Sequence, residues 1–374
     1  MKLDRAGRTF AAATVAMMFC AEILTGCSSA NNRDGVSTAN FGANSANADC
    51  GGRNVLDAAG STAQQHAMDS LNLVWGQACP GKRVSYRATG SSAGREEFIA
   101  GRVDFGGSDS PLVADQIGPA ANRCKGNPAW DLPLVFGSIA LVYNLTDIQT
   151  LVLDADSLAK IFNGSIRTWN DPTLAALNPG VALPNTKITP VYREDLSGTT
   201  DNFQKYLTAA APQSWTRGVG SDFHGGTGDG VHRSDGVIHA VQATEGSIGY
   251  VEKSFADAAG VPYARINNGT GVVPLTDDTA RRAVDTVTFA AGGNDLVLEL
   301  NSVYGIHDRG AYPLVLATYE IVCSQGYDAE TAAAVKSFLI TAVNDGQNAL
   351  SAAGYIPLPD NVKERLVTAI NAMQ

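Results

Sequence analysis

Arg193-Glu194-Asp195-Leu196-Ser197-Gly198-Thr199-Thr200 stands where a strand should turn into a helix. Ahead of it, Lys187-Ile188-Thr189-Pro190-Val191-Tyr192 alternates polar and apolar residues as a short strand does. Behind it, Asp201-Asn202-Phe203-Gln204-Lys205-Tyr206-Leu207 places apolar side chains at helical spacing. Ser197 suits the N-cap, and Gly198 lets the backbone approach a ligand closely. A helix N-terminus offers unpaired N–H donors and the positive end of its dipole, and Arg193 adds a fixed fork of donors. That combination suits a tetrahedral oxyanion. Taken alone, the same residues also describe an ordinary capped turn.

Outward from this segment, periodicity predicts strands near 55–57, 83–88, 103–106, 132–136, 139–143, 188–192, 247–251 and 314–318. It predicts helices near 64–76, 94–100, 157–162, 198–207, 237–243, 253–258, 329–343 and 360–373. The alternation is that of an α/β protein without internal repeats. Ligands in such folds sit at the carboxyl ends of strands, where turns lead into helices. Three more turns share the serine-and-glycine composition of the first. They are Gly60-Ser61-Thr62, Gly90-Ser91-Ser92-Ala93-Gly94 and Gly106-Gly107-Ser108-Asp109-Ser110, each following a predicted strand. Neutral hydroxyls and backbone N–H groups can encircle an anion without adding excess charge.

The N-terminus points to export. Lys2, Arg5 and Arg8 precede an apolar run from Phe10 to Leu24 (interrupted by Glu22), which ends in Leu24-Thr25-Gly26-Cys27. A basic start, a short apolar stretch and small residues at the end form a secretory signal over 1–26. The last four residues resemble a bacterial lipobox, making Cys27 the expected lipidated residue and the membrane a partner through its acyl chains. Residues 27–49 are mostly Asn, Ala, Ser and Gly, the composition of a flexible tether with a reach of roughly 25 Å. The remaining body, from Cys50 to Gln374, has room for two domains.

Charge argues against nucleic acid. The chain carries −10, and the residues before Cys27 hold three basic and two acidic side chains, leaving −11 on the rest. An acidic protein that holds an anion does so through short-range donors, against its own long-range field. Cys50, Cys79, Cys124 and Cys323 suggest two disulfides in an oxidising compartment. Three connectivities are open, with sequence separation leaning toward Cys50–Cys79 and Cys124–Cys323. No CxxC pair exists, so metal binding is the poorer reading of these cysteines; no metal and no cofactor is expected.

Gly90-Ser91-Ser92-Ala93-Gly94 also satisfies G-x-S-x-G, the elbow that presents a hydrolase serine. A Ser92 nucleophile needs a histidine base and an upstream oxyanion loop. His224, His232, His239 and His307 follow it, but His224-Gly225-Gly226 lies downstream, where that loop does not belong. A hydrolase also leaves Arg193 unexplained, so a non-enzymatic reading is preferred. The histidines between Asp222 and His232 read as solvated members of a Gly/Asp-rich loop.

The four turns, in order, resemble those of the periplasmic-type phosphate-binding proteins that serve bacterial phosphate ABC transporters. That family carries G-[AS]-T after the first strand, G-S-S-G/A-G after the second, V-D-F-G-A-S-D after the third, and later R-x-D-x-S-G-T. Here they are Gly60–Thr62, Gly90–Gly94, Val103–Asp109 with Gly107 at the usual alanine, and Arg193–Thr199. Phe162–Asp171, Leu177–Gly180 and Gly246–Glu252 match as well, so the likeness covers nearly the whole body.

The resemblance implies a type II periplasmic-binding-protein fold, with two α/β lobes joined by two hinge crossings and a ligand cleft between them. One lobe is expected at 50–137 plus 308–374, the other at 138–307. The implied phosphate-binding residues are Ser61, Thr62, Ala63 (by its main chain alone, since the family often has an aromatic there), Ser91, Asp109, Arg193, Ser197, Gly198 and Thr199. Asp195 is implied to hold the Arg193 guanidinium in place. The expected protein is a monomeric, lipid-anchored receptor on the extracytoplasmic face of the cell membrane. It passes inorganic phosphate to membrane permease subunits. A receptor for another tetrahedral oxyanion, such as arsenate or sulfate, is the alternative within the binding class.

Asp109 is the odd member of an anion site, because buried like charges repel. Phosphate near neutral pH still carries a proton that an ionised carboxylate can accept, whereas sulfate has none. Asp109 is therefore expected to exclude sulfate.

Overall fold

The computed structural model describes residues 49–306, 308 and 310–374. The expected signal segment, Cys27, the tether up to residue 48 and His307 lie outside them. The strands are β1 Val55–Gly60, β2 Arg83–Ala88, β3 Phe105–Ser108, β4 Ala129–Tyr143, β5 Val152–Asp154, β6 Thr189–Arg193, β7 Asp229–Val231, β8 Ser247–Glu252, β9 Arg265–Asn267, β10 Val272–Val273, β11 Thr288–Phe289, β12 Leu298–Glu299 and β13 Val315–Cys323. Eight of them form one mixed sheet in the order β2-β1-β3-β13-β4-β8-β6-β7.

The sheet has two halves that share β4. In the first, β1 runs parallel to β2 and β3, and β13 enters antiparallel between β3 and β4. In the second, β6 lies parallel to both β8 and β7, while β8 pairs antiparallel with β4. The sequence reading placed two strands at 132–136 and 139–143; they are one strand of 15 residues. Gly137 and Ser138 do not break it, because each faces a partner on β13, Leu316 and Val315. Its N-terminal part pairs with β13, and Ile139–Tyr143 pairs with Glu252 to Ile248 of β8. An irregularity between Thr318 and Tyr319 falls opposite Val135 and Pro133, where proline has no N–H to give the ladder.

Side chains on β4 are buried continuously from Asp131 to Tyr143, as expected for a strand covered on both faces. The core on the first side includes Trp75, Phe105 and Phe338, and Trp75 Nε1 donates to Ser337 Oγ at 3.0 Å. On the second side Phe203 stacks on Tyr250 at 4.5 Å between ring centroids, with Phe162 edge-on to Phe203. Each buried ring removes apolar surface worth about 1.5–3 kcal/mol from water. Tyr250 Oη accepts from the Arg193 backbone N–H at 3.2 Å, which ties these aromatics to the end of β6. Disulfides join Cys50 to Cys79 and Cys124 to Cys323, the pairing toward which sequence separation leaned. The second ties the end of the helix Ala114–Arg123 to the end of β13.

Among the described residues, no helix is long and apolar enough to cross a membrane. No cluster of histidine, cysteine or acidic side chains with metal-holding geometry occurs among them.

Candidate functional site

β1, β2 and β3 end side by side, so the turns that follow them converge. Gly60 (φ +147°) makes this possible: a Cβ there would lie 1.9 Å from the Gly107 carbonyl oxygen. The turn after β6 faces them from the other half of the sheet. Ser197 is the N-cap of the helix Gly198–Ala210, and its Oγ accepts from Thr200 N–H at 3.3 Å.

Ser61, Thr62, Ala63, Ser91, Asp109, Arg193, Ser197 and Thr199 are all at most 3% exposed. Arg193 Nη1 donates across the halves to Thr62 Oγ1 at 2.9 Å. Its Nε donates to Asp195 Oδ1 at 2.6 Å and its Nη2 to Asp195 Oδ2, a bidentate pair. Burial works against the Arg193 charge, but Asp195 and then Glu252 outweigh it and raise the guanidinium pKa. Burial likewise opposes the Asp195 charge, and Arg193 overcomes it, holding that carboxyl below its ordinary value. Asp195 also accepts from Arg193's neighbour in space, the Arg233 backbone N–H, at 3.1 Å.

Asp109 sits at the centre of the first half's contribution. Its Oδ2 accepts from Ser61 Oγ at 2.8 Å and Ser91 Oγ at 3.0 Å, and its Oδ1 from Thr318 Oγ1 at 2.7 Å. Burial pushes its pKa up to about 6, with these three hydroxyls limiting the rise. At neutral pH it is an ionised, fully desolvated acceptor. Gly198 packs directly against it: a Cβ on Gly198 would come within 2.5 Å of Ser91 Oγ and 2.6 Å of Asp109 Cβ. Asn202 Nδ2 bridges the halves again, donating to the Asp109 carbonyl at 2.8 Å and the Gly198 carbonyl at 2.8 Å.

The structure thus brings the predicted residues from both halves into one buried cluster. The Ala63 N–H, expected to face the ligand, donates to Ser61 Oγ at 3.0 Å. The Thr199 hydroxyl donates to Glu252 Oε1. Glu252, Ser234, Thr318 and Asn202 belong to the cluster and were not singled out from sequence. Glu252 closes the Gly246–Glu252 stretch at the end of β8, and an acidic residue at a strand's carboxyl end was the same signal that marked Asp109. Ser234 lies just past the loop read as solvated, and nothing in its surroundings distinguishes it in sequence.

Ser92 Oγ accepts from Arg95 Nη2 at 3.0 Å. Among the described residues no histidine bonds to it: His224 pairs with Asp222 and His232 with Glu194. The cluster offers the Arg193 guanidinium, several hydroxyls, helix N–H groups and carboxylate acceptors, a set that can hold a partly protonated oxyanion.

A family model described as a PBP superfamily domain matches residues 43–343. The chain is 46% identical to phosphate-binding protein PstS 3 of Mycobacterium leprae, over the whole of both chains. It is 47% identical, again over both chains entire, to phosphate-binding protein PstS 3 of Mycobacterium tuberculosis strain H37Rv. With PstS2 of Mycobacterium bovis BCG it shares 43% identity over 94% of this chain and 95% of the relative. Among solved structures it is similar to a high affinity periplasmic phosphate-binding protein, PfluDING, bound with phosphate. The TM-score is 0.68 at 22% identity, covering 83% of this chain and 92% of that one. A phosphate-binding protein from Stenotrophomonas maltophilia gives 0.65 at 19% identity, covering 84% and 94%. Likeness at those identities establishes the fold, the two-lobed α/β architecture of periplasmic binding proteins.

Proposed function

The chain belongs to the PstS family of phosphate-binding proteins, within the PBP superfamily, and from that premise we propose that it is an extracytoplasmic receptor that binds inorganic phosphate and delivers it to an ABC-type importer. The observation that carries this reading is the convergence of buried Arg193 and buried Asp109 on one ring of hydroxyls. Arg193 and the N–H groups at the start of the helix Gly198–Ala210 attract the anion. Asp109 admits it only if it brings a proton. Phosphate does so at neutral pH and sulfate does not. Arsenate shares phosphate's proton, so exclusion by Asp109 does not extend to it.

The ligand set we propose is Thr62, Ser91, Asp109, Arg193, Ser197, Gly198 and Thr199, with Ser61 and Ala63 supporting from the first turn and Asp195 holding Arg193. The two lobes, 50–137 with 308–374 and 138–307, close on the ligand about β4 and the chain's return to β13. Lipid on Cys27 is the proposed anchor of a monomeric receptor, and the receptor does no chemistry on its ligand. A test in cells follows directly. Removing the protein from a strain with no second phosphate receptor should abolish high-affinity phosphate uptake. The wild-type gene should restore it, and the Arg193→Ala gene should not. Full restoration by Arg193→Ala would contradict the assignment.

A further inference from the structure

Among the described residues, three that are not glycine have a positive φ: Lys125, Asp147 and Arg233. Arg233, at +65°, opens the helix Arg233–Ala243, which packs on β6 and β8 in the second half of the sheet. A left-handed backbone crowds the Cβ against the following carbonyl, so a residue other than glycine stays there where its surroundings hold it. Two bonds hold Arg233. Its N–H donates to Asp195 Oδ1 at 3.1 Å, and its Nη2 donates to Gln65 Oε1 at 3.2 Å. The second bond reaches the other half of the sheet. Gln65 is the first residue of the helix Gln65–Ala78, which packs on β2.

This bond crosses the seam between the halves in its outer layer. The neighbouring residue, Ser234, makes the inner contact, with its Oγ 2.8 Å from Thr62 Oγ1. Ser234, Thr62 and Arg193 are at most 2% exposed, whereas 46% of the Arg233 side chain is exposed. His66, next to Gln65, stacks on Phe255 of the helix Lys253–Ala259 at 4.2 Å between ring centroids. The first turn of the helix Gln65–Ala78 is therefore met twice from the second half. A ligand enclosed behind this seam leaves when the halves separate, and a bond across the seam breaks as they do. The buried contacts across it involve residues of the proposed ligand set. The Arg233–Gln65 bond does not.

We propose that Arg233 is a positioning residue that clasps the first turn of the helix Gln65–Ala78 across the seam and thereby sets how long bound phosphate is retained. The proposal rests on the reading of the protein as a phosphate receptor. The left-handed backbone gives one residue both attachments. The N–H anchors the clasp on Asp195, the partner of Arg193, while the guanidinium reaches Gln65 in the other half. The clasp is also weak enough to open. Its acceptor is a neutral amide and its cation is half in water, so it contributes far less than a buried ion pair would. A receptor that hands its ligand on needs a closed form that holds and then lets go.

Rapid-quench exchange tests this. The full chain, loaded with radiolabelled inorganic phosphate, is mixed with excess unlabelled phosphate, in about 0.5 M salt so that rim charges are screened. Equilibrium dialysis gives the affinity, and the two together give the association rate. Arg233→Ala is expected to speed release about three- to tenfold, with association unchanged within about twofold. Gln65→Ala removes the same bond from the other side and should speed release to a similar degree. The double variant should release phosphate no faster than Arg233→Ala, because both changes break one bond. An unchanged release rate in either folded single variant, or an affinity loss carried by association, overturns the proposal. Accelerations that multiply in the double variant overturn it too, since they assign the two residues separate roles. Absence of phosphate binding in the wild type overturns instead the receptor reading on which the proposal stands.

Discussion

Replacing Asp109 by asparagine removes one charge and almost no volume, so it isolates the carboxylate's role in selectivity. The wild-type carboxylate is 3% exposed and already accepts three hydroxyl hydrogens, from Ser61, Ser91 and Thr318. Each of these hydroxyls can rotate and accept from an amide instead, so the turn should persist. Phosphate would lose a charge-assisted acceptor worth about 1.5–3 kcal/mol, a fall of roughly 10- to 100-fold in affinity. Sulfate would lose a repulsive neighbour and gain an N–H donor, and so should bind more tightly. A discrimination of roughly 10⁴ in the wild type, the scale at which sites read a missing hydrogen, should shrink by about two to three orders of magnitude. The pH dependence gives an internal control. Burial raises the Asp109 pKa to about 6, so below that value the carboxyl is protonated and becomes a donor itself. Wild-type discrimination should therefore rise as pH passes upward through about 6, while that of Asp109→Asn stays flat. Competition titrations of phosphate against sulfate across this range test both statements. Equal discrimination in the two proteins, or no step in the wild type, would refute the argument.

Further expectations concern closure and stability. Gly198→Ala places a methyl 2.5 Å from Ser91 Oγ and 2.6 Å from Asp109 Cβ. It should hold the halves apart and weaken phosphate binding by about 100-fold or more, while the far-UV circular dichroism is unchanged; retained affinity would show that the halves need not meet here. Glu320 is fully buried on β13, and burial raises its pKa from 4.5 to about 8 against the lowering effect of the Gln64 side chain. The folded state keeps a proton that the unfolded state releases, so stability should decline as pH rises from about 4.5 to about 8. Glu320→Gln should flatten this decline in Tm-versus-pH scans, by an amount on the order of 4 kcal/mol near pH 8; parallel curves would count against it. The Cys124–Cys323 disulfide spans 199 residues and joins two fully buried cysteines. Replacing both by alanine should cost about 2–5 kcal/mol in denaturant unfolding, and an unchanged midpoint would show that the link contributes nothing.

The sequence was most legible where local chemistry and tertiary role coincide. The turns after β1, β2, β3 and β6 carry their glycines and hydroxyls where a strand ends and a helix begins, the place at which the proposed function has them meet an anion. The N-cap role of Ser197 could be read from adjacent residues alone, whereas the Arg193–Asp195 pair followed from the family resemblance. The single long β4 could not, since Gly137 and Ser138 look like a break until β13 supplies partners for them. Glu252 and Ser234 were hidden for a related reason. They lie 18 residues apart, and each acquires its role only when β8 and the helix Arg233–Ala243 bring both beside Thr62, more than 170 residues earlier in the chain. Thr318 was visible as a strand residue, but its bond to Asp109 depends on β13 entering between β3 and β4.

The most direct test of the central claim is calorimetric titration of the wild-type protein with inorganic phosphate near neutral pH, with and without excess sulfate. One phosphate should bind per chain, with an affinity that sulfate leaves unchanged. No binding, or displacement of phosphate by sulfate at comparable concentration, would contradict the account of Arg193 and Asp109 as a clamp for a protonated oxyanion.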